Sequence, residues 1–247
     1  MIRRALLLAL LLLSATAAMA ESVTITAADG VRVYGEFWPA IDPDAPLILA
    51  FHQAGSSHTE YAPLAPRLNR AGFHVLAIDQ RSGGNEFGGK NRTVAALGRS
   101  TSYDAALADL EAALAWGKAK ANGAPVLVWG SSYSAALVFR LVAKHPSDVA
   151  GLLAFSPGEY LDKKDAVTKA AQAVRVPVFI DQASDADEIE QSRLILQATA
   201  SSDKMQFVPT RNGVHGSATL RADRNAAGAE ENWVAVLGFL GKFRVVR

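Results

Sequence analysis

Six short apolar runs, separated by amphipathic stretches, constrain this chain more than any other feature. They are PLILAF (46–51), GFHVLAI (72–78), PVLVW (125–129), VAGLLAF (149–155), VPVFI (176–180) and MQFVP (205–209). Each is continuous rather than alternating, which suits strands buried on both faces. Between them, YDAALADLEAALAW (103–116) places Leu107, Leu110 and Leu114 on one helical face with Asp109 and Glu111 off it. SAALVFRLVAKHP stops at Pro146, and ENWVAVLGFLGKF closes the chain as a further amphipathic helix. Strands alternating with helices predict a three-layer α/β/α sandwich with a mostly parallel sheet and right-handed crossovers. Ahead of these runs, SVTITAADGVRVYGEFWPA alternates around Asp29-Gly30 and predicts an antiparallel β-hairpin at one edge of the sheet. Nothing in the composition divides the chain after its start, so residues 21–247 are expected to form one domain.

The start is different in kind. MIRRALLLALLLLSATAAMA carries Arg3 and Arg4, an apolar run from Ala5 to Leu13 and small residues ending in Ala18-Met19-Ala20. That order is the pattern of a secretory signal peptide, and the apolar run is short beside the ~20 residues a membrane span needs. Residues 1–20 are therefore expected to be removed and the protein exported, to a periplasm or outside the cell, with no stable membrane span left after cleavage. The chain has no cysteine, so disulfides, thiolate metal ligands and a cysteine nucleophile are excluded. A net charge of +1, with both signs scattered, argues against nucleic acid as a partner. No HExxH, paired His-x-His, calcium loop, GxGxxG or P-loop is present, so neither a metal nor a nucleotide cofactor is expected.

In a parallel sheet, ligands bind beyond the carboxyl ends of the strands, so the residues that follow each run carry the chemistry. His52-Gln53-Ala54-Gly55 follows the first run and Asp79-Gln80-Arg81-Ser82-Gly83-Gly84 the second. Gly130-Ser131-Ser132-Tyr133-Ser134 follows the third, Asp181 to Asp187 the fifth and Gly213-Val214-His215-Gly216 the sixth. A serine turn, an acidic turn and a histidine turn thus converge on one edge in that chain order. Serine needs an adjacent base to become a nucleophile. Of the five histidines, His74 lies within a strand pattern, His145 ends a helix, and His58 has no evident role; His215 sits in a glycine-flanked loop.

The order serine, acid, histidine and the Gly-x-Ser-x-Ser turn resemble the α/β-hydrolase superfamily, over essentially the whole chain after residue 20. The resemblance implies the corresponding fold and a serine hydrolase of the small, uncapped esterase or dienelactone-hydrolase kind. In that family the nucleophile sits on a strained strand-to-helix turn with small residues two positions away on either side. Ser132 satisfies this with Gly130 and Ser134, whereas Ser131 would put Trp129 and Tyr133 in the small positions. The bland alternative for these serines is helix N-capping. By resemblance His215 is the base and Asp185 the orienting acid, with Asp187 as alternative. The oxyanion donors would be the backbone N–H of Tyr133 and that of Gln53 or Ala54, because HQAG is a variant of the family's His-Gly-x-Gly loop. His52 would shape that loop, and Arg81 would bond neighbouring loops. The implied reaction is cleavage of an ester, thioester or amide in a small-molecule acyl substrate through an acyl-enzyme. A peptidase, an acyltransferase or a non-catalytic binding protein on the same fold are the alternatives. Only about twenty residues separate VAGLLAF from VPVFI, enough for one helix but not for a helical lid, and the segment 85–102 is expected to wall one side of the pocket.

Overall fold

The computed structural model describes residues 20–244, so all but the last residue of the expected signal segment lies outside the described residues. The strands and helices run in the order β1 (Glu21–Thr26), β2 (Arg32–Trp38), β3 (Leu47–Phe51), α1 (Ala65–Arg70), β4 (His74–Ile78), α2 (Arg92–Leu97), α3 (Leu107–Ala121) and β5 (Val126–Ser131). They continue with α4 (Tyr133–Lys144), β6 (Gly151–Phe155), α5 (Ala166–Ala171), β7 (Val178–Asp181), α6 (Ala186–Ala198), β8 (Lys204–Phe207) and α7 (Ala229–Leu240). The eight strands form one sheet in the order β1-β2-β4-β3-β5-β6-β7-β8. β1 pairs antiparallel with β2 and β2 with β4, and the rest of the sheet is parallel. All six apolar runs are strands, and the hairpin lies at the edge where its alternating pattern put it. No helix among the described residues is long and apolar enough to cross a membrane.

Strand side chains alternate between faces, and the core accordingly divides in two. Leu47, Leu49, Phe51 and Val128 pack under α3 to α6 with Leu110, Leu137, Leu141, Val167 and Ile195. Ile48, Ala50, Leu127 and Trp129 pack under α1 and α7 with Leu68, Trp233, Val236 and Phe239. In the second layer Trp129 stacks on Phe155 with centroids 4.5 Å apart. Its Nε1–H donates to Ser217 Oγ at 2.9 Å, so the strand that leads into Ser132 is joined to the loop after His215 from beneath.

Helical periodicity misplaced one residue. Asp109 lies off the leucine face in the helical projection of α3 and is nonetheless fully buried. It accepts hydrogen bonds from Arg81 N–H, Nε and Nη2 at 2.7, 2.9 and 2.7 Å. Arg81 also pairs with Asp29 at the hairpin turn, so one guanidinium joins the hairpin, the loop after β4 and α3. Such buried charges survive only with compensating partners. Burial pushes the Asp109 carboxyl up against the lowering effect of Arg81.

Candidate active site

The turn between β5 and α4 positions Ser132, the candidate nucleophile. Ser132 has φ 59° and ψ −124°, a strained conformation for a residue with a Cβ, of the kind that persists where surrounding structure enforces it. The enforcement is visible at Gly130, where a Cβ would lie 2.3 Å from the Ser134 carbonyl oxygen. The small residue two before Ser132 is thus required by close backbone approach.

Each serine of this turn has a different partner. Ser131 Oγ accepts the Ser217 N–H at 2.9 Å. Ser134 Oγ donates to the His52 carbonyl at 2.6 Å and accepts from Gln80 Nε2 at 2.7 Å. Ser132 Oγ lies 2.8 Å from His215 Nε2. The two flanking serines therefore tie the turn to neighbouring loops, and only the central one faces the histidine. His215 is followed by Gly216 at φ 68°, where a Cβ would meet Ser131 Oγ at 2.5 Å. Both the backbone sign and the space demand glycine there.

The acid on His215 is Glu188, and here the sequence expectation is corrected. His215 Nδ1 lies 2.7 Å from Glu188 Oε1. Asp185 is the N-cap of α6, and its Oδ1 accepts the Asp187 and Glu188 N–H groups at 2.9 and 3.3 Å; Asp187 is exposed in the first turn. Neither aspartate meets the histidine. Burial pushes the Glu188 carboxyl up, but hydrogen bonds from His215 and Ser156 outweigh it and hold the group below its ordinary value. An ionised carboxylate can only accept. The proton between them therefore sits on Nδ1, which leaves Nε2 to accept the Ser132 hydroxyl proton. Ser156, itself at φ 53°, also accepts the Gly216 N–H at 2.9 Å and so ties the acid to the histidine loop. The signal for Glu188 was the spacing Asp185-x-x-Glu188, a capping-box pattern. Asp185 Oδ1 is committed to the α6 amides, whereas Glu188 at N3 turns back from the helix, its Oε2 accepting the Ala183 N–H at 3.1 Å and its Oε1 facing His215.

The oxyanion expectation narrows in the same way. Gln53 N–H donates to Glu60 Oε2 at 2.8 Å, which removes Gln53 as a donor to substrate. Ala54 lines the same cavity as Ser132, and its N–H makes no hydrogen bond among the described residues. Tyr133 opens α4, so its N–H has no carbonyl one turn earlier to bond. His52 is fully buried, with Nδ1 2.8 Å from the Gln53 carbonyl and Nε2 accepting the Gln80 N–H at 3.0 Å. Burial pushes its pKa down to about 4, so it shapes the loop as a neutral ring. His58, unassigned from sequence, bonds Asp79 through N–H and Nδ1 at 2.9 and 2.7 Å.

A cavity of about 480 Å³ opens on Ser132 and His215, with Phe87, Val214 and Ala218 among its walls and Arg221 and Arg224 beside them. Phe87 belongs to the segment expected to wall the pocket, although residues 92–97 of that segment are helical. Between β6 and β7 the only helix is α5, of six residues.

No curated protein matches the chain by sequence. Among solved structures, a dienelactone hydrolase from Anabaena variabilis superposes with a TM-score of 0.71 at 15% identity, covering 92% of this chain and 99% of that one. A thermostable carboxyl esterase from Bacillus coagulans gives 0.68 at 13% identity, covering 92% and 99%. An esterase from Pyrococcus furiosus gives 0.66 at 20% identity, covering 91% and 93%. At these identities the likeness is one of fold. Residues 42–179, more than half of the chain, match the Hydrolase_4 family model, serine aminopeptidase S33; the span includes Ser132 and ends before Glu188 and His215. The chain thus belongs to this family of α/β-hydrolases.

Proposed function

We propose that the protein is an exported serine esterase acting on small or medium acyl esters. The observation that carries the reading is the unbroken relay Ser132 Oγ–His215–Glu188, at 2.8 and 2.7 Å, opening on the cavity. In the proposed reaction Ser132 Oγ attacks the ester carbonyl carbon while His215 Nε2 takes the hydroxyl proton. Glu188 stabilises the imidazolium, and the N–H groups of Tyr133 and Ala54 receive the developing oxyanion. His215 returns the proton to the leaving alkoxide. Water then adds to the acyl-enzyme with the same base, and the carboxylic acid leaves Ser132 free. The short connection between β6 and β7 supports an uncovered site suited to free small esters.

The test is labelling with a fluorophosphonate, with the adduct located by peptide mass spectrometry, beside turnover of p-nitrophenyl esters of increasing acyl length. An adduct on Ser132, and loss of both label and turnover in Ser132→Ala, are expected. A folded wild-type protein that neither labels nor hydrolyses any ester would shift the reading to a binding protein on the same fold. Export is part of the proposal: the mature protein recovered from a secreting host should begin near Glu21, and an intact Met1 terminus would refute it.

A further inference from the structure

We propose that Glu60 is a positioning residue of this site: by accepting the Gln53 N–H it holds the loop after β3 in the conformation that presents the Ala54 N–H to the substrate oxygen. The inference rests on the esterase reading above.

Glu60 ends the 3-10 turn His58–Glu60. It is only 6% exposed yet borders the cavity that holds Ser132 and His215. Its backbone is fixed from three sides. Ser57 caps the turn, His58 bonds Asp79 at the end of β4, and the Tyr61 hydroxyl donates to the Phe51 carbonyl at the end of β3, 2.7 Å away. One carboxyl oxygen, Oε2, accepts the Gln53 N–H at 2.8 Å. The other, Oε1, is buried without a hydrogen-bond partner. Burying such a carboxyl is unfavourable, and among the described residues no ion pair within 4 Å offsets that cost; the neighbouring hydroxyls and Arg221 do so only in part. What the residue achieves is a fixed orientation for the His52–Gln53 peptide, one unit before the Ala54 N–H, beside a site whose rate depends on donors already in place.

Desolvation pushes the Glu60 pKa up, partly offset by the Ser131 and Ser56 hydroxyls beside it and by the field of Arg221. The buried hydroxyls of Tyr61 and Tyr133 lie within its electrostatic reach. What the position supplies is an acceptor for the Gln53 N–H. Glutamine has the same shape, is always neutral and carries an amide oxygen able to accept the same N–H. Alanine lacks the acceptor, and aspartate is a methylene too short to reach it.

The experiment measures kcat and KM on p-nitrophenyl acetate for Glu60→Ala, Glu60→Asp and Glu60→Gln, normalised to the sites a fluorophosphonate labels at completion. Because losing an oxyanion donor outright costs about 10²- to 10³-fold, a loosened one should lower kcat in Glu60→Ala and Glu60→Asp by about 10- to 100-fold. KM should stay within about threefold, and Glu60→Gln should recover to within about threefold of wild type by the same argument. Wild-type kcat per labelled site in Glu60→Ala or Glu60→Asp overturns the inference, as does a Glu60→Gln no better than alanine. If the alanine variant fails to fold, aspartate and glutamine carry the comparison. A wild-type protein that neither labels nor turns over would overturn the esterase reading and this inference with it; an active wild type with unaffected variants overturns this inference alone.

Discussion

Exchanging the roles of two carboxylates three residues apart gives the sharpest test of the site. In Glu188→Gln the carboxylate that accepts from His215 Nδ1 at 2.7 Å is replaced by a neutral amide. The imidazolium loses its counter-charge, and the amide nitrogen can donate to Nδ1 and stabilise the wrong tautomer. Loss of this interaction in a serine relay lowers kcat by about 10³- to 10⁴-fold, or ~4 to 5.5 kcal/mol of transition-state stabilisation. Asp185→Ala removes instead an N-cap that satisfies two amides, at 2.9 and 3.3 Å. Its cost is ~1 kcal/mol of stability, a fall in Tm of about 2 to 4 °C for a domain of this size, with kcat changed by no more than a few fold. Steady-state turnover of p-nitrophenyl butyrate and far-UV circular dichroism melting read the two quantities separately. If folded Asp185→Ala loses three orders of magnitude while Glu188→Gln retains its rate, the relay described here is wrong.

Other perturbations test other parts of the structure. Ser132→Gly removes the nucleophile and also the positive-φ strain, so it should abolish turnover while raising stability by ~1 kcal/mol; a lower urea midpoint would argue against a strained elbow. His52 stays neutral in the folded protein down to about pH 4, whereas in the unfolded chain it takes a proton near its ordinary 6.5. Stability should therefore fall as pH drops from about 6.5 toward 4, by roughly 3 kcal/mol in total from this residue. The urea midpoint of His52→Asn should lack that component of the slope, and an identical slope would refute the assignment. Arg81→Met strands the Asp109 carboxylate in the core and should cost ~3 to 5 kcal/mol in urea denaturation. Arg81→Met with Asp109→Leu should recover most of that; equal instability of the double variant would show that the pair itself is not what matters.

What could be read from the sequence followed from steric and hydrophobic pattern. Continuous apolar runs located the strands, the Asp29-Gly30 turn located the edge hairpin, and resemblance to the α/β-hydrolase elbow, with small residues at Gly130 and Ser134, singled out Ser132 among its neighbours. What escaped was decided by hydrogen bonds between distant segments. Asp109 looks solvent-facing in a helical projection because the projection cannot include a guanidinium 28 residues earlier in the chain. Gln53 looked as free as Ala54 because nothing local indicates that Glu60 turns back to its amide. By resemblance the acid falls on Asp185 or Asp187 and Glu188 does not enter the choice, although the cap that occupies Asp185 is itself a sequence pattern.

The division of labour among Ser131, Ser132 and Ser134 has a consequence for how such a site can change. The tethers that register the relay run through backbone and buried hydroxyls behind the turn, while Phe87, Val214 and Ala218 form cavity wall and make none of those bonds. Reshaping the cavity wall and preserving the Ser132–His215–Glu188 arrangement are therefore separable problems. A library that varies these three wall positions and leaves 130–134 untouched should yield altered chain-length preference in proteins that still carry a working nucleophile.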